Sequence, residues 1–159
     1  MDIGLKLRQA MLINGMLYNS EAWHAITETD LRLLETIDEQ LLRSLVKGHA
    51  KTPLEFLYLE AGATPIRFII SSRRLTYHQT ILKREDIELT KRIYQEQLKN
   101  PSTGDFVKLL ENDFKVIKSE QNDITIQNTG KYEYKQSIKK KIKAAAFNYL
   151  KEIQEHTQK

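Results

Sequence analysis

Basic side chains gather at two places in the sequence. Arg67, Arg73, Arg74, Lys83 and Arg84 lie within eighteen residues, and Lys139, Lys140, Lys141 and Lys143 lie within five. Clustered guanidinium and ammonium groups neutralise phosphate oxygens. Such contacts fix position along a polyanion without reading its sequence. The competing reading is solvated helix surface balanced by nearby carboxylates. The chain has 159 residues, with 25 Lys and Arg against 21 Asp and Glu, so its net charge of +4 decides little. The distribution says more. Residues 1–63 hold six basic and nine acidic side chains, 64–100 eight and four, 101–130 three and five, and 131–159 eight and three. A fold that joined the two basic stretches would present a one-sided patch to a polyanion.

Other chemistry is thinly represented. His24, His49, His78 and His156 have no companion nucleophile. They also lack the spacing of a His-Glu-x-x-His metal site. The chain has no cysteine, which excludes a disulfide framework, a thiolate metal site and cysteine catalysis. The six glycines are scattered and form no phosphate-cradling loop. Asp30 and Asp38 fall inside an amphipathic helix and read as surface residues, not as the convergent aspartates of a two-metal centre. No catalytic residue, metal or cofactor is expected, and the chain reads as a binding or structural module. No apolar run approaches the ~18–20 residues of a membrane span. No basic-then-apolar leader opens the sequence. The expectation is therefore an intracellular protein, in nucleus or cytoplasm, with no membrane partner. The Lys139-Lys140-Lys141 run is a short match to a nuclear-import signal.

The elements that must carry these residues are helices. The length suits one domain or two small helical units. Asp2 is placed to cap a helix running to about Tyr18. Its apolar residues cover more than one face, as in a buried or sandwiched helix. Thr27 and Asp30 form a capping-box pattern, followed by Leu31, Leu34, Ile37, Leu41 and Leu45 at helical spacing. Glu28–Arg32 and Glu39–Arg43 are favourable i,i+4 pairs, and Gly48 fits the C-terminal cap. Thr52-Pro53-Leu54-Glu55 reads as a full capping box opening a short helix to Gly62. Thr64-Pro65 opens a longer one to about Arg84.

On the wheel of that longer helix, Ile66, Ile70, Tyr77 and Ile81 lie opposite Phe68, Leu75 and Leu82. This is the pattern of a central helix with two neighbours. Arg67, Arg74 and His78 share a side between the stripes. Arg73 falls inside the first stripe, either paired on burial or set at an interface rim. Further helices are predicted over 87–99, 105–118 and 132–155, with Asn100-Pro101 as a stop. Ile124-Thr125-Ile126 has the pattern of a brief strand. Tyr134, Ile138, Ile142, Ala145, Ala146, Tyr149 and Ile153 make one stripe of the last helix. Lys140, Lys143 and Lys151 lie opposite, and Phe147 shares their face. There it either docks a neighbour, the commoner fate of an aromatic, or stacks on a base. The expected fold is all-α: a compact array of about six helices with short Thr-Pro and Gly-bounded connections. The expected division is a helical domain over 1–100 and a helical extension over 101–159.

The stretch Gly15-Met16-Leu17-Tyr18-Asn19-Ser20-Glu21-Ala22-Trp23 resembles a segment just C-terminal to the palm in LINE-type (non-LTR) retrotransposon reverse transcriptases. An ordered series follows it. Leu34-Glu35, Leu42-Arg43, Thr52-Pro53, Leu57-Tyr58, Gly62, Thr64-Pro65 and Arg73-Arg74-Leu75 come first. Tyr134-Lys135 through Ala146-Phe147 and Leu150 come after a gap. The resemblance covers about Leu5 to His156. It implies the thumb and adjoining region of such a polymerase, whose helices brace the template–primer duplex. The palm's Asp-Asp motif, the fingers, a Cys/His knuckle and an endonuclease motif are absent. The chain also stops where family members continue, so it reads as a non-catalytic fragment of a reverse transcriptase.

The expected partner is the backbone of RNA or an RNA–DNA duplex, contacted by Arg67, Arg73, Arg74, Lys83, Arg84, Lys139, Lys140, Lys141 and Lys143. Tyr18, Glu21 and Trp23 are expected to be structural. The alternative is a helical scaffold that docks onto a polymerase palm or another protein and binds no nucleic acid. That alternative predicts an exposed apolar patch near the N-terminal helix.

Overall fold

A computed structural model describes residues 3–23, 26–118 and 128–157. Asp2 as a cap, His24 and the Ile124-Thr125-Ile126 strand lie outside the described residues. Among those described, the chain is all-α, with seven helices and no strand. They are α1 (Ile3–Arg8), α2 (Glu28–Val46), α3 (Leu54–Ala61), α4 (Ile66–Leu82), α5 (Leu89–Lys99), α6 (Phe106–Val116) and α7 (Lys131–Thr157). The count is seven where about six were expected.

The first helix is not α-helical throughout. After Arg8 it widens into a π-helical segment, Gln9–Met16, closed by Leu17 N–H donating to the Leu12 carbonyl at 3.3 Å. The burial pattern follows the wider winding. Arg8, Leu12, Ile13 and Leu17 point inward at four- and five-residue spacing, while Leu7, Met11 and Met16 stay exposed. An α-helix would turn Arg8 and Leu17 to opposite sides.

Capping sets both ends of α2 and the end of α3. Thr27 Oγ1 accepts from the Asp30 N–H at 3.2 Å, and Asp30 Oδ2 accepts from the Thr27 N–H at 2.9 Å. The predicted capping box is thus present, and the Thr27 bonds hold the Asp30 carboxyl below its ordinary range. At the other end of α2 the left-handed position is Lys47 (φ 52°), not Gly48. Gly48 N–H reaches back to the Arg43 carbonyl at 3.0 Å. Glycine is needed there for space: a Cβ would come within 2.7 Å of Leu57 Cδ2. Helix α3 starts after Pro53 with no side-chain cap, which corrects the Thr52 capping box. Arg43 braces this loop instead. It pairs with Glu39, donates from Nη1 to the His49 carbonyl at 2.5 Å and donates from Nη2 to the Thr52 carbonyl at 2.7 Å. Gly62 ends α3 with φ 60°, where glycine costs least.

The backbone groups into two compact units, interleaved along the chain. The first takes the described residues of Met1–Tyr18, Thr27–Ile69 and Lys143–Lys159. Its core joins Leu42, Leu57, Tyr58 and Leu150, flanked by Val46, Leu54, Leu59 and Tyr149. A buried polar network lies in the same unit. Arg8 donates to both oxygens of Asp38 at 2.6 Å and to the Thr64 carbonyl at 2.9 Å, and Tyr58 Oη donates to Asp38 Oδ2 at 2.8 Å. Burial, then the Asp38 charge, pushes the Tyr58 phenol far above its ordinary value. Removing one partner from such a pair strands a buried charge, at a cost of about 3–5 kcal/mol.

The second unit takes the described residues of Asn19–Ile26 and Ile70–Ile142. Its described core combines buried aliphatic side chains, Leu75, Val107 and Leu110 among them, with a cluster of aromatic rings. His78, Tyr94, Phe106, Phe114 and Tyr77 meet edge-to-face or tilted, with centroids 5.4–6.5 Å apart. His78 Nε2 bonds Tyr94 Oη at 2.9 Å, while its buried Nδ1 has no partner. Burial, aided by the Lys91 charge, lowers the His78 pKa to about 4, so the ring stays neutral at ordinary pH.

Candidate nucleic-acid interface

The two basic clusters meet different fates. Helix α4 is packed on several sides, with Ile66, Phe68, Ile70, Leu75 and Ile81 buried around it, as its two apolar stripes imply. Its cations are drawn into the fold. Arg67 Nε donates to Glu35 at 2.7 Å, its Nη2 reaches Glu28 at 3.0 Å, and its guanidinium lies 5.8 Å over the Tyr149 ring. The Glu35 bond raises its pKa further. Arg74 is buried, with Nε 3.1 Å from Asp113 Oδ2. Neither atom finds a well-directed hydrogen bond, though Asp113 Oδ1 accepts from Ser71 Oγ at 2.6 Å. Burial drives the Asp113 carboxyl upward, against the pull of Arg74. Arg73 Nη1 lies 3.4 Å from Ser20 Oγ, and the side chain is half-buried. Arg84 pairs with Glu88 at 2.8 Å. Lys83 is exposed, but its ammonium donates to the Thr129 carbonyl at 2.8 Å, an acceptor shared with Gln79.

Helix α7 holds its cations in solvent. Tyr134, Ile138, Ile142, Ala146 and Leu150 are buried at four-residue intervals and fix its inner face. Lys139, Lys140, Lys141 and Lys143 are all exposed. Among the described residues no ion pair engages Lys139, Lys140 or Lys143. Phe147 follows Lys143 by four residues and is 49% exposed. Lys151 follows by four more, with its Nζ 4.9 Å from the ring centroid. The arrangement can hold a phosphate backbone by charge without selecting its sequence.

The sequence reading missed the Arg8–Asp38 pair. Asp38 is fully buried, not a surface residue, while Ile37, expected in the apolar stripe, is 42% exposed. The signal was present. Asp38 lies four residues from both Leu34 and Leu42, in the centre of the helical stripe, and a carboxylate there demands a partner. Tyr18, expected to be structural, is 79% exposed. An apolar row also lies at the N-terminus, where Ile3, Leu7 and Met11 recur every four residues at 82%, 47% and 65% exposure. Among the described residues no group of histidines and carboxylates is placed to hold a metal ion. Also among them, no helix is long and apolar enough to cross a membrane. No family model, curated protein or solved structure matches the chain.

Proposed function

We propose that the chain is a thumb-like helical module of a LINE-type reverse transcriptase that binds the backbone of RNA or RNA–DNA duplex and performs no catalysis itself. One observation carries the reading: Lys139, Lys140 and Lys143 stand exposed and outside any described ion pair on one face-bearing helix. The residues behind the resemblance add support at the level of the fold. Leu42, Leu57, Tyr58 and Leu150 form core, and Glu35, Arg43 and Arg74 form ion pairs. Such a module works in the nucleus or cytoplasm, where its template is.

The test is binding to a labelled RNA–DNA hybrid across a salt series. The wild-type chain binds at micromolar concentration or tighter, and affinity falls steeply with salt. The Lys139→Glu/Lys140→Glu/Lys143→Glu variant loses most of that affinity, and its salt slope is shallower by about 0.9 for each phosphate contact removed. A well-folded wild type that binds no hybrid at low salt sinks the proposal.

One observation favours a second reading. The exposed Ile3, Leu7 and Met11 row is the N-terminal apolar patch that a protein-docking scaffold requires. On that reading the chain seats against a polymerase palm or another protein, and the triple lysine variant behaves as wild type.

A further inference from the structure

We propose that Phe147 is a stacking platform for an unpaired base, so that this stretch of α7 takes single-stranded RNA or DNA. The inference rests on the backbone-binding reading above and names the form of nucleic acid held there. Phe56, Phe68, Phe106 and Phe114 are buried or half-buried, whereas the Phe147 ring is 49% exposed. An exposed phenyl ring keeps apolar surface that a ligand stacked on it would bury.

The surroundings select which one. The helical neighbours of Phe147 one turn away are Lys143, Ala144, Leu150 and Lys151, with no carboxylate among them. Ala144, one turn before Phe147, is exposed and small. Lys143 and Lys151 lie about 6 Å along the helix on either side, since each residue rises 1.5 Å. They are spaced to reach the phosphates that flank a base lying on the ring. The Lys151 ammonium, 4.9 Å from the centroid, already shows the ring accepting a cation. A protein helix docked on this face would have to desolvate both lysines, whereas a polynucleotide strand neutralises them. Every base has a π-face, so the platform tolerates sequence.

The experiment compares fluorescein-labelled oligo(dT) with a fully paired RNA–DNA hybrid of equal length. Both are titrated with wild type, Phe147→Ala and Phe147→Tyr, with circular dichroism as the folding control. Phe147→Ala weakens oligo(dT) binding at least about fivefold. It leaves the hybrid affinity unchanged, and Phe147→Tyr restores the single-strand affinity. If Phe147→Ala lowers neither affinity, or lowers both equally, the stacking platform is refuted while backbone binding stands. If wild type binds neither probe, both readings fall together.

Discussion

Helices α4 and α7 carry similar positive charge and put it to opposite uses. On α4 two arginines turn to carboxylates, Arg67 to Glu35 and Glu28 and Arg74 to Asp113, and just beyond its end Arg84 pairs with Glu88. On α7 Lys139, Lys140 and Lys143 stand exposed, outside any ion pair among the described residues. Two physical differences account for this. A helix packed on several sides has little surface to give its cations. Arginine's planar fork also suits a buried or half-buried carboxylate better than a compact ammonium does. A basic cluster in a sequence is therefore a surface patch only if its helix keeps a free face and no carboxylate lies within reach.

The comparison breaks first at Arg74. Arg74→Met leaves the buried Asp113 without its counter-charge and costs about 3–5 kcal/mol. Urea denaturation measures this as a lowered midpoint. An unchanged midpoint would show that Asp113 is already neutral and that Arg74 contributes little.

The next effect is at His78, on the same helix. Its folded pKa of about 4 lies below the unfolded value of 6.5. Below pH 6.5 the unfolded chain takes up a proton that the folded chain refuses, so stability falls as pH drops toward 4. Between pH 7.5 and 4.5 this group alone costs about 2.5 kcal/mol. The difference between wild type and His78→Gln over that window isolates it from the carboxylates. A constant difference across pH would refute the buried neutral ring.

The smallest effect sharpens the contrast. Lys139→Gln/Lys140→Gln/Lys143→Gln changes stability by less than about 0.5 kcal/mol, since exposed substitutions of this kind touch no packing. Thermal melts of this variant beside Arg74→Met put the two helices on one scale.

Much of the helical framework is legible in the sequence. The Thr27–Asp30 box, the Gly62 cap and the four-residue stripe of α7 are local signals, and local signals survive folding. What was not legible depends on partners distant in sequence. Asp38 reads as surface until Arg8, thirty residues away, is seen to meet it. Arg74 reads as a phosphate ligand until Asp113 does the same. The cap falls at Lys47, and Gly48 instead packs close to Leu57, a contact that a local sequence pattern does not contain. In the candidate interface, the α7 face follows from periodicity alone, whereas the fate of the α4 arginines required the tertiary fold.

The π-helical segment has a consequence for how this chain tolerates change in length. Leu17 lies nine positions after Arg8, both are buried, and the wide winding spends two turns on those nine steps. An α-helix would cover two turns in about seven. The segment therefore holds two residues of slack. Deleting one exposed residue on each side of Leu12–Ile13 would tighten it to an ordinary helix with Arg8, Leu12, Ile13 and Leu17 at i, i+3, i+4 and i+7, which keeps Arg8 against Asp38 and Leu17 in the core.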